Sequence, residues 1–253
     1  MDDFTISLAD IPISIQPLCR EIRPFFEEYL SSEAPCFVVS PGEKDLEYER
    51  IMSEKMYGKL PAHTPWPATY LEITALLRLI ADRILEYNAV LFHGSAIAVD
   101  GRGYLFAAPS GTGKTTHTRF WLQQLPQAYV LNGDKPFLKI SENDQILVCG
   151  TPWQGKEKLG CNKILPLEAI CLLERSTENH ICSITPKMAS QSLLRQVHLP
   201  EGAAFLRGIQ LLDKISKGVH LFRLGCNMNP EAANVSIRAM IPAYSAENMG
   251  KPE

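Results

Sequence analysis

No apolar run in the 253 residues approaches the ~18 that a membrane span needs. The opening MDDFTISLAD is acidic where a secretory leader would be basic, so the cytoplasm is the expected compartment and no membrane partner is expected. Positive charge is not in surplus either. Lys and Arg total 25 against 28 Asp and Glu, a net charge of −3, which leaves nothing to hold a long nucleic acid backbone. The seven cysteines (Cys19, Cys36, Cys149, Cys161, Cys171, Cys182 and Cys226) include no C-x-x-C pair, and read as reduced thiols rather than a disulfide framework or a zinc site. There is no internal repeat and no low-complexity segment, which excludes a solenoid. What remains is ordinary globular material, 45% hydrophobic and 21% charged, enough for one or two domains of ~150 residues with a sizeable core.

Along the chain the pattern is mixed α/β. Arg20 to Leu30 has helical periodicity, Cys36 to Val39 is a short apolar strand, and a Glu/Lys-rich polar stretch follows. The segment from His63 to Pro67 is a loop by its prolines, and apolar residues from Leu71 to Ile84 recur at the spacing of a largely buried helix over 68–86. Ala89–Val99 and Tyr104–Ala108 read as two strands around Asp100-Gly101, a strong signal for an antiparallel hairpin. Short strands are expected at 129–131, 137–140, 146–148, 169–173 and 218–224, with helices at 186–197, 201–216 and 230–240.

The most informative stretch is Ala108-Pro109-Ser110-Gly111-Thr112-Gly113-Lys114-Thr115-Thr116, between a predicted strand and a predicted helix that runs to Gln124. A chance G-x-G-K-[ST] in a chain of this size has a probability on the order of one percent. Its glycines let backbone N–H groups surround phosphate oxygens, and the helix N-terminus adds partial positive charge. In this pattern Lys114 reaches the β- and γ-phosphates and the Thr115 hydroxyl ligates Mg²⁺. Ala108 stands where the full pattern has its first glycine, which a negative φ would permit.

A two-residue hairpin loop sets Val99 against Arg102 and His93 against Ala108; a four-residue loop sets His93 against Ser110. Either register brings His93, otherwise readable as a half-buried structural histidine, to the mouth of the phosphate loop. Twenty residues after Lys114, Asn132-Gly133-Asp134-Lys135 ends an apolar strand. Asp134 is readable as a turn aspartate or as the carboxylate that a phosphate loop needs for metal or proton. Lys135 is either a phosphate contact or a solvated turn lysine. A Gly/Pro loop from Gly150 has Lys156, Lys158 and Lys163 around it, readable as a lid over transferred phosphate, as a seat for the acceptor, or as ordinary exposed loop lysines. His117 and Arg119 read as helix-face residues, and His180, His198 and His220 as structural.

Taken together, His93-Gly94, the hairpin, Ser110-Gly111-Thr112-Gly113-Lys114-Thr115 and Gly133-Asp134 resemble, in order and spacing, the catalytic domain of HPr kinase/phosphorylase. The Ser-Gly-Thr-Gly-Lys-Thr string is also similar to the kinase motif of ATP-dependent phosphoenolpyruvate carboxykinases, which share that nucleotide-binding fold. The pattern resembles most closely the HPr-kinase-like group of short bacterial proteins, over residues 88–240. The resemblance implies a P-loop core of mixed, partly antiparallel sheet flanked by helices over 88–240, after an N-terminal α/β region at 1–87 and before a tail at 241–253. It implies ATP and Mg²⁺ as cofactors. Ser110, Gly111, Thr112, Gly113, Lys114, Thr115 and Thr116 would bind the nucleotide, and Thr115 and Asp134 the metal. Asp134 matches the first aspartate of the kinase's Asp-Asp pair, the base on the acceptor hydroxyl, and His93 the strand histidine near the transferred phosphate. Lys135 departs from the pair's second aspartate, and the kinase's phosphorolysis signature has no clear counterpart here.

The expectation is therefore an ATP/Mg-dependent kinase with Asp134, His93 and Lys114 as catalytic residues. The acceptor expected is a serine of a protein or precursor peptide. A small-metabolite kinase and a catalytically silent nucleotide-binding regulator are the competing readings, and a homo-oligomer is left open.

Overall fold

The structure is a computed structural model that describes residues 3–58, 65–109 and 111–244. It divides into two compact units, Met1–Tyr87 and Asn88–Glu253. His63, Thr64, Ser110 and most of the expected C-terminal tail lie outside the described residues.

The first unit opens with a hairpin of β1 (Phe4–Leu8) and β2 (Ile11–Ile15). Its two-residue loop, Ala9-Asp10, has φ of 53° and 55°, as the right-handed twist of paired strands requires. Alternate residues Phe4, Ile6, Leu8, Ile11, Ile13 and Ile15 are buried. β3 (Phe37–Val39) joins β2 in parallel. The expected helix at Arg20 is a 3₁₀ helix over Arg20–Tyr29 that buries Ile22, Phe26 and Tyr29. Pro24 explains the difference, because it supplies no N–H to an α-helical ladder.

The polar stretch after Gly42 is α1 (Glu43–Tyr57), a helix that hydrophobic periodicity misses because charge pairs support it. Arg50 bridges Glu47 and Glu54 at 2.6 Å each, and Arg78 of α2 (Ala68–Ile84) reaches across to Asp45 and Glu49 at 2.8 and 2.7 Å. Glu72 of α2 is fully buried, yet its carboxylate accepts the Leu18 and Cys19 N–H groups at 2.6 and 2.8 Å, which anchors the chain entering the 3₁₀ helix.

The second unit is a curled mixed sheet flanked by helices. Its path runs β4 (Ala89–Leu91), β8 (Phe137–Ile140), β9 (Ile146–Cys149), β10 (Ile164–Arg175), β6 (Arg102–Ala107), β5 (Ser95–Val99) and β7 (Tyr129–Asn132). Long β10 organises the turn of the sheet. Its first residues pair antiparallel with β9, while from Leu167 onward it runs parallel to β6 and then to β12 (His220–Cys226), which carries β11 (His180–Ser183) outside it.

β5 and β6 form the two-residue hairpin around Asp100-Gly101, with Val99 opposite Arg102 and Ser95 opposite Phe106. Both loop residues have positive φ, 49° and 75°. The four-residue register does not occur. The β5–β6 ladder begins at Ser95 opposite Phe106, so it does not include the expected pairing of His93 with Ala108. His93 N–H instead donates to Gln196 O, and Gly94 N–H to Asp134 O. α3 (Lys114–Gln124) and α6 (Glu231–Met240) cover a core of Ile97, Tyr104, Phe106, Trp121 and Ile237. α4 (Pro186–Leu194) is shorter than expected and packs on α5 (Ala203–Gly218). No helix of the described residues is long and apolar enough to cross a membrane.

Candidate functional site

The loop that joins β6 to α3 takes its shape from two glycines. Gly111 and Gly113 have φ of 75° and 116°, a region costly for residues with a Cβ, although a Cβ at either would meet only open space. The requirement is conformational. Thr112 N–H donates to Pro109 O at 3.3 Å, which closes a turn with Gly111 in its left-handed position. Lys114 folds back, and its Nζ donates to Ala108 O at 2.8 Å. Among the described residues no side chain caps the first turn of α3, which leaves helix-terminal N–H groups available to an anion. Thr115 is exposed and Thr116 half-buried on that turn.

α3 is pinned on two sides. Thr118 Oγ1 donates to Lys114 O and lies 3.0 Å from Ser95 Oγ, tying the helix start to β5. On the other side His117 Nε2 and Trp121 Nε1 meet Ser236 Oγ of α6 at 3.0 and 2.8 Å. The expectation that His117 is a helix-face residue is corrected here: it is 2% exposed. Burial pushes its pKa down to about 4, so the imidazole is neutral.

The Asn132–Lys135 turn is built by Asn132, which the sequence reading did not single out. Asn132 Oδ1 accepts the N–H groups of Asp134 and Lys135 at 2.9 and 2.7 Å, and its Nδ2 donates to Thr151 at 3.0 Å. Thr151 Oγ1 in turn donates to Lys135 O. The Asn-Gly-Asp turn chemistry was the available signal. A Cβ on Gly133 would lie 2.6 Å from Gln154 O, so the loop from Gly150 packs directly on this turn. That loop's cations Lys156, Lys158 and Lys163 are all exposed, and Lys163 lies over the Tyr129 ring, 4.7 Å from its centroid. Arg119 pairs with Glu157, which tethers the loop to α3.

His93 Nε2 stands 3.3 Å from Asp134 Oδ1, long for a hydrogen bond but a close polar contact. Burial alone would raise the Asp134 pKa. The His93 contact and the charges of Lys135, His93 and Lys114 outweigh that and hold it below the usual carboxylate range. Burial lowers the pKa of both Lys114 and Lys135, against the opposing pull of Asp134. The structure thus brings His93, Lys135 and Lys114 within electrostatic reach of Asp134, at one end of β5, β7 and α3.

Beside this cluster is a cleft of about 480 Å³ whose walls include Gly111, Gly113, Thr116, Phe120, Arg175 and Met228. None of His93, Lys114, Asp134 and Lys135 is among its lining residues. Arg175 and Met228 had no motif to mark them. Ser110 lies outside the described residues. No three His, Cys, Asp or Glu residues converge as metal ligands among the described residues. Mg²⁺ needs no such cage when phosphates supply most of its oxygens; Thr115 carries a hydroxyl and Asp134 an ionised carboxylate, the donor types such an ion takes from a protein.

A family model described as SynChlorMet cassette protein ScmC matches residues 58–228. That span holds every site residue named above except Ser236. No curated protein matches the chain. Among solved structures, the Hpr(Ser) kinase/phosphatase from Coxiella burnetii is similar over 61% of this chain and 93% of that one, at 11% identity and a TM-score of 0.34. At that distance the likeness bears on neither activity nor site.

Proposed function

The chain belongs to the SynChlorMet cassette protein ScmC family, and we propose that it is an ATP-dependent phosphotransferase that moves the γ-phosphoryl group to a hydroxyl, most simply a serine of a protein or precursor peptide. The observation that carries this reading is the convergence of the glycine-shaped loop and Lys114 with an ionised Asp134 held against His93.

Each part has a defined task. Loop and helix N–H groups together with Lys114 bind and orient phosphate oxygens. Thr115 and Asp134 would hold Mg²⁺, which when bound neutralises charge on the β- and γ-oxygens. The acceptor oxygen attacks the γ-phosphorus, the bond to the β,γ-bridging oxygen breaks, and Asp134 takes the hydroxyl proton. Surrounding positive charge keeps Asp134 ionised at neutral pH, so its oxygens are free to orient the hydroxyl and take the proton as it is lost in the transition state. His93 and Lys135 add positive charge or hydrogen-bond donors beside the transferred oxygens.

A second reading has one observation in its favour. Lys135 stands beside Asp134 where a second carboxylate would complete a metal site, which suits a nucleotide-binding regulator without turnover.

Incubation with γ-labelled ATP, Mg²⁺ and lysate of the source cell separates the two. A labelled protein or peptide that fails to appear with Asp134→Asn supports the kinase, with a loss of ~10²–10⁴ expected for removal of a general base. A loss below about tenfold refutes that role for Asp134. Nucleotide binding by calorimetry with no label on any acceptor favours the regulator, and absence of nucleotide binding refutes both.

A further inference from the structure

Arg175 is the last residue of β10. β10 pairs in parallel with β6 as far as Leu172 opposite Ala107, and then continues while the β6 chain turns into the phosphate loop. The strand's overhang therefore carries Arg175 alongside the loop. Its Nη2 donates to Gly111 O at 2.7 Å. Among the described residues this is the one hydrogen bond of its side chain, so a guanidinium with five N–H donors has most of them unengaged. It is exposed, and it lines the same cleft as Gly111, Thr112 and Gly113.

Two consequences follow from elementary geometry. A peptide unit is planar and trans, so the C=O of Gly111 and the N–H of Thr112 point in opposite directions. Holding the carbonyl from the β10 side therefore also steadies the Thr112 N–H, which donates to Pro109 O and closes the turn of the loop. A loop with Gly111 and Gly113 in the left-handed region has many alternative shapes, and the guanidinium contact removes some of that freedom. The unengaged donors, meanwhile, border a cleft large enough for a nucleoside, and a planar fork of N–H groups matches phosphate oxygens in pairs.

We propose that Arg175 is a second phosphate-binding cation of this site, which positions the loop through the Gly111 carbonyl and contributes its remaining N–H groups to the phosphates of a nucleotide seated in the cleft. Lys114 serves the same anion from α3. The inference rests on reading the loop as a nucleotide site.

The test is calorimetric titration of the full chain with ATP and, separately, adenosine, in wild type, Arg175→Gln and Arg175→Lys. Because Arg175 is exposed, both variants are expected to fold, and circular dichroism checks this. Arg175→Gln is expected to weaken ATP at least about tenfold while leaving adenosine within about twofold, and Arg175→Lys to recover part of the loss, since it restores the charge without the fork. ATP affinity unchanged in Arg175→Gln overturns the proposal. Equal weakening of ATP and adenosine also overturns it, because Arg175 would then shape the cleft without touching phosphate. A wild type that binds ATP with the variants unaffected refutes this inference alone. A wild type that binds no nucleotide refutes the reading of the loop itself.

Discussion

Acidification should destabilise this protein through one buried imidazole. His117 is 2% exposed, sits edge-on to the Phe106 ring and touches Ser236 through Nε2. Ser236 has one proton, and if it spends it on Ala233 O at 2.9 Å, its lone pairs accept Trp121 Nε1–H and the Nε2–H tautomer of His117. A second proton on the ring would bring a charge into this apolar junction. Burial accordingly pushes the pKa from 6.5 down to about 4.

The unfolded chain therefore binds more protons than the folded one between those values, and stability rises with pH across that window. The contribution is fully present above about pH 7.5. It falls by about 2 kcal/mol at pH 5, and by about 3 kcal/mol once the pH is below both values. Urea unfolding followed by tryptophan fluorescence at pH 8, 6.5 and 5 measures it, with His117→Gln as the partner that retains a donor for Ser236 but does not titrate. The stability of wild type relative to the variant should drop by about 2 kcal/mol between pH 8 and pH 5. A difference constant within about 0.5 kcal/mol would mean that the imidazole is solvated or charged in the fold, and the burial argument would be wrong.

Two further perturbations probe the framework around the site and the first unit. Gly150→Ala would set a Cβ 1.9 Å from Cys161 O, a backbone atom, so a loss of about 2 kcal/mol or more and a lower melting temperature are expected; an unchanged melting temperature would show that the Gly150 loop yields freely. Glu72→Ala strands the Leu18 and Cys19 N–H groups in a buried setting. A loss of about 2–4 kcal/mol is expected, together with faster amide exchange at those two residues, and protection unaltered at both would refute the anchoring role.

Much of the local geometry was legible because local chemistry dictates it. Asp100-Gly101 between apolar runs selects the two-residue turn, and the Val99–Arg102 register follows. The strand, glycine loop and helix from Tyr104 to Gln124 appear where spacing and turn residues put them. Other elements escaped. α1 has no apolar stripe to read, since its support is the reach of Arg78 from α2. A single proline at 24 turned an expected helix into 3₁₀ geometry. The hairpin register extrapolated to His93 failed because past Ser95 the chain bonds to Gln196 and Asp134 instead.

The site divides along the same line. The shape of the glycine loop is a matter of sequence neighbours, because left-handed φ at Gly111 and Gly113 and a lysine opening the helix are properties of adjacent residues. What those residues meet is set by partners far away in the chain. Arg175 reaches Gly111 across 64 positions, His117 reaches Ser236 across 119, and Asn132 holds Thr151 across 19. No periodicity encodes such contacts. They arise when β10 outruns β6, when α3 lies on α6, and when one turn packs on another. Burial and the field of neighbouring charges then set the protonation of His117, Lys114 and Asp134, and those exist only once the sheet has curled and the helices have closed over it.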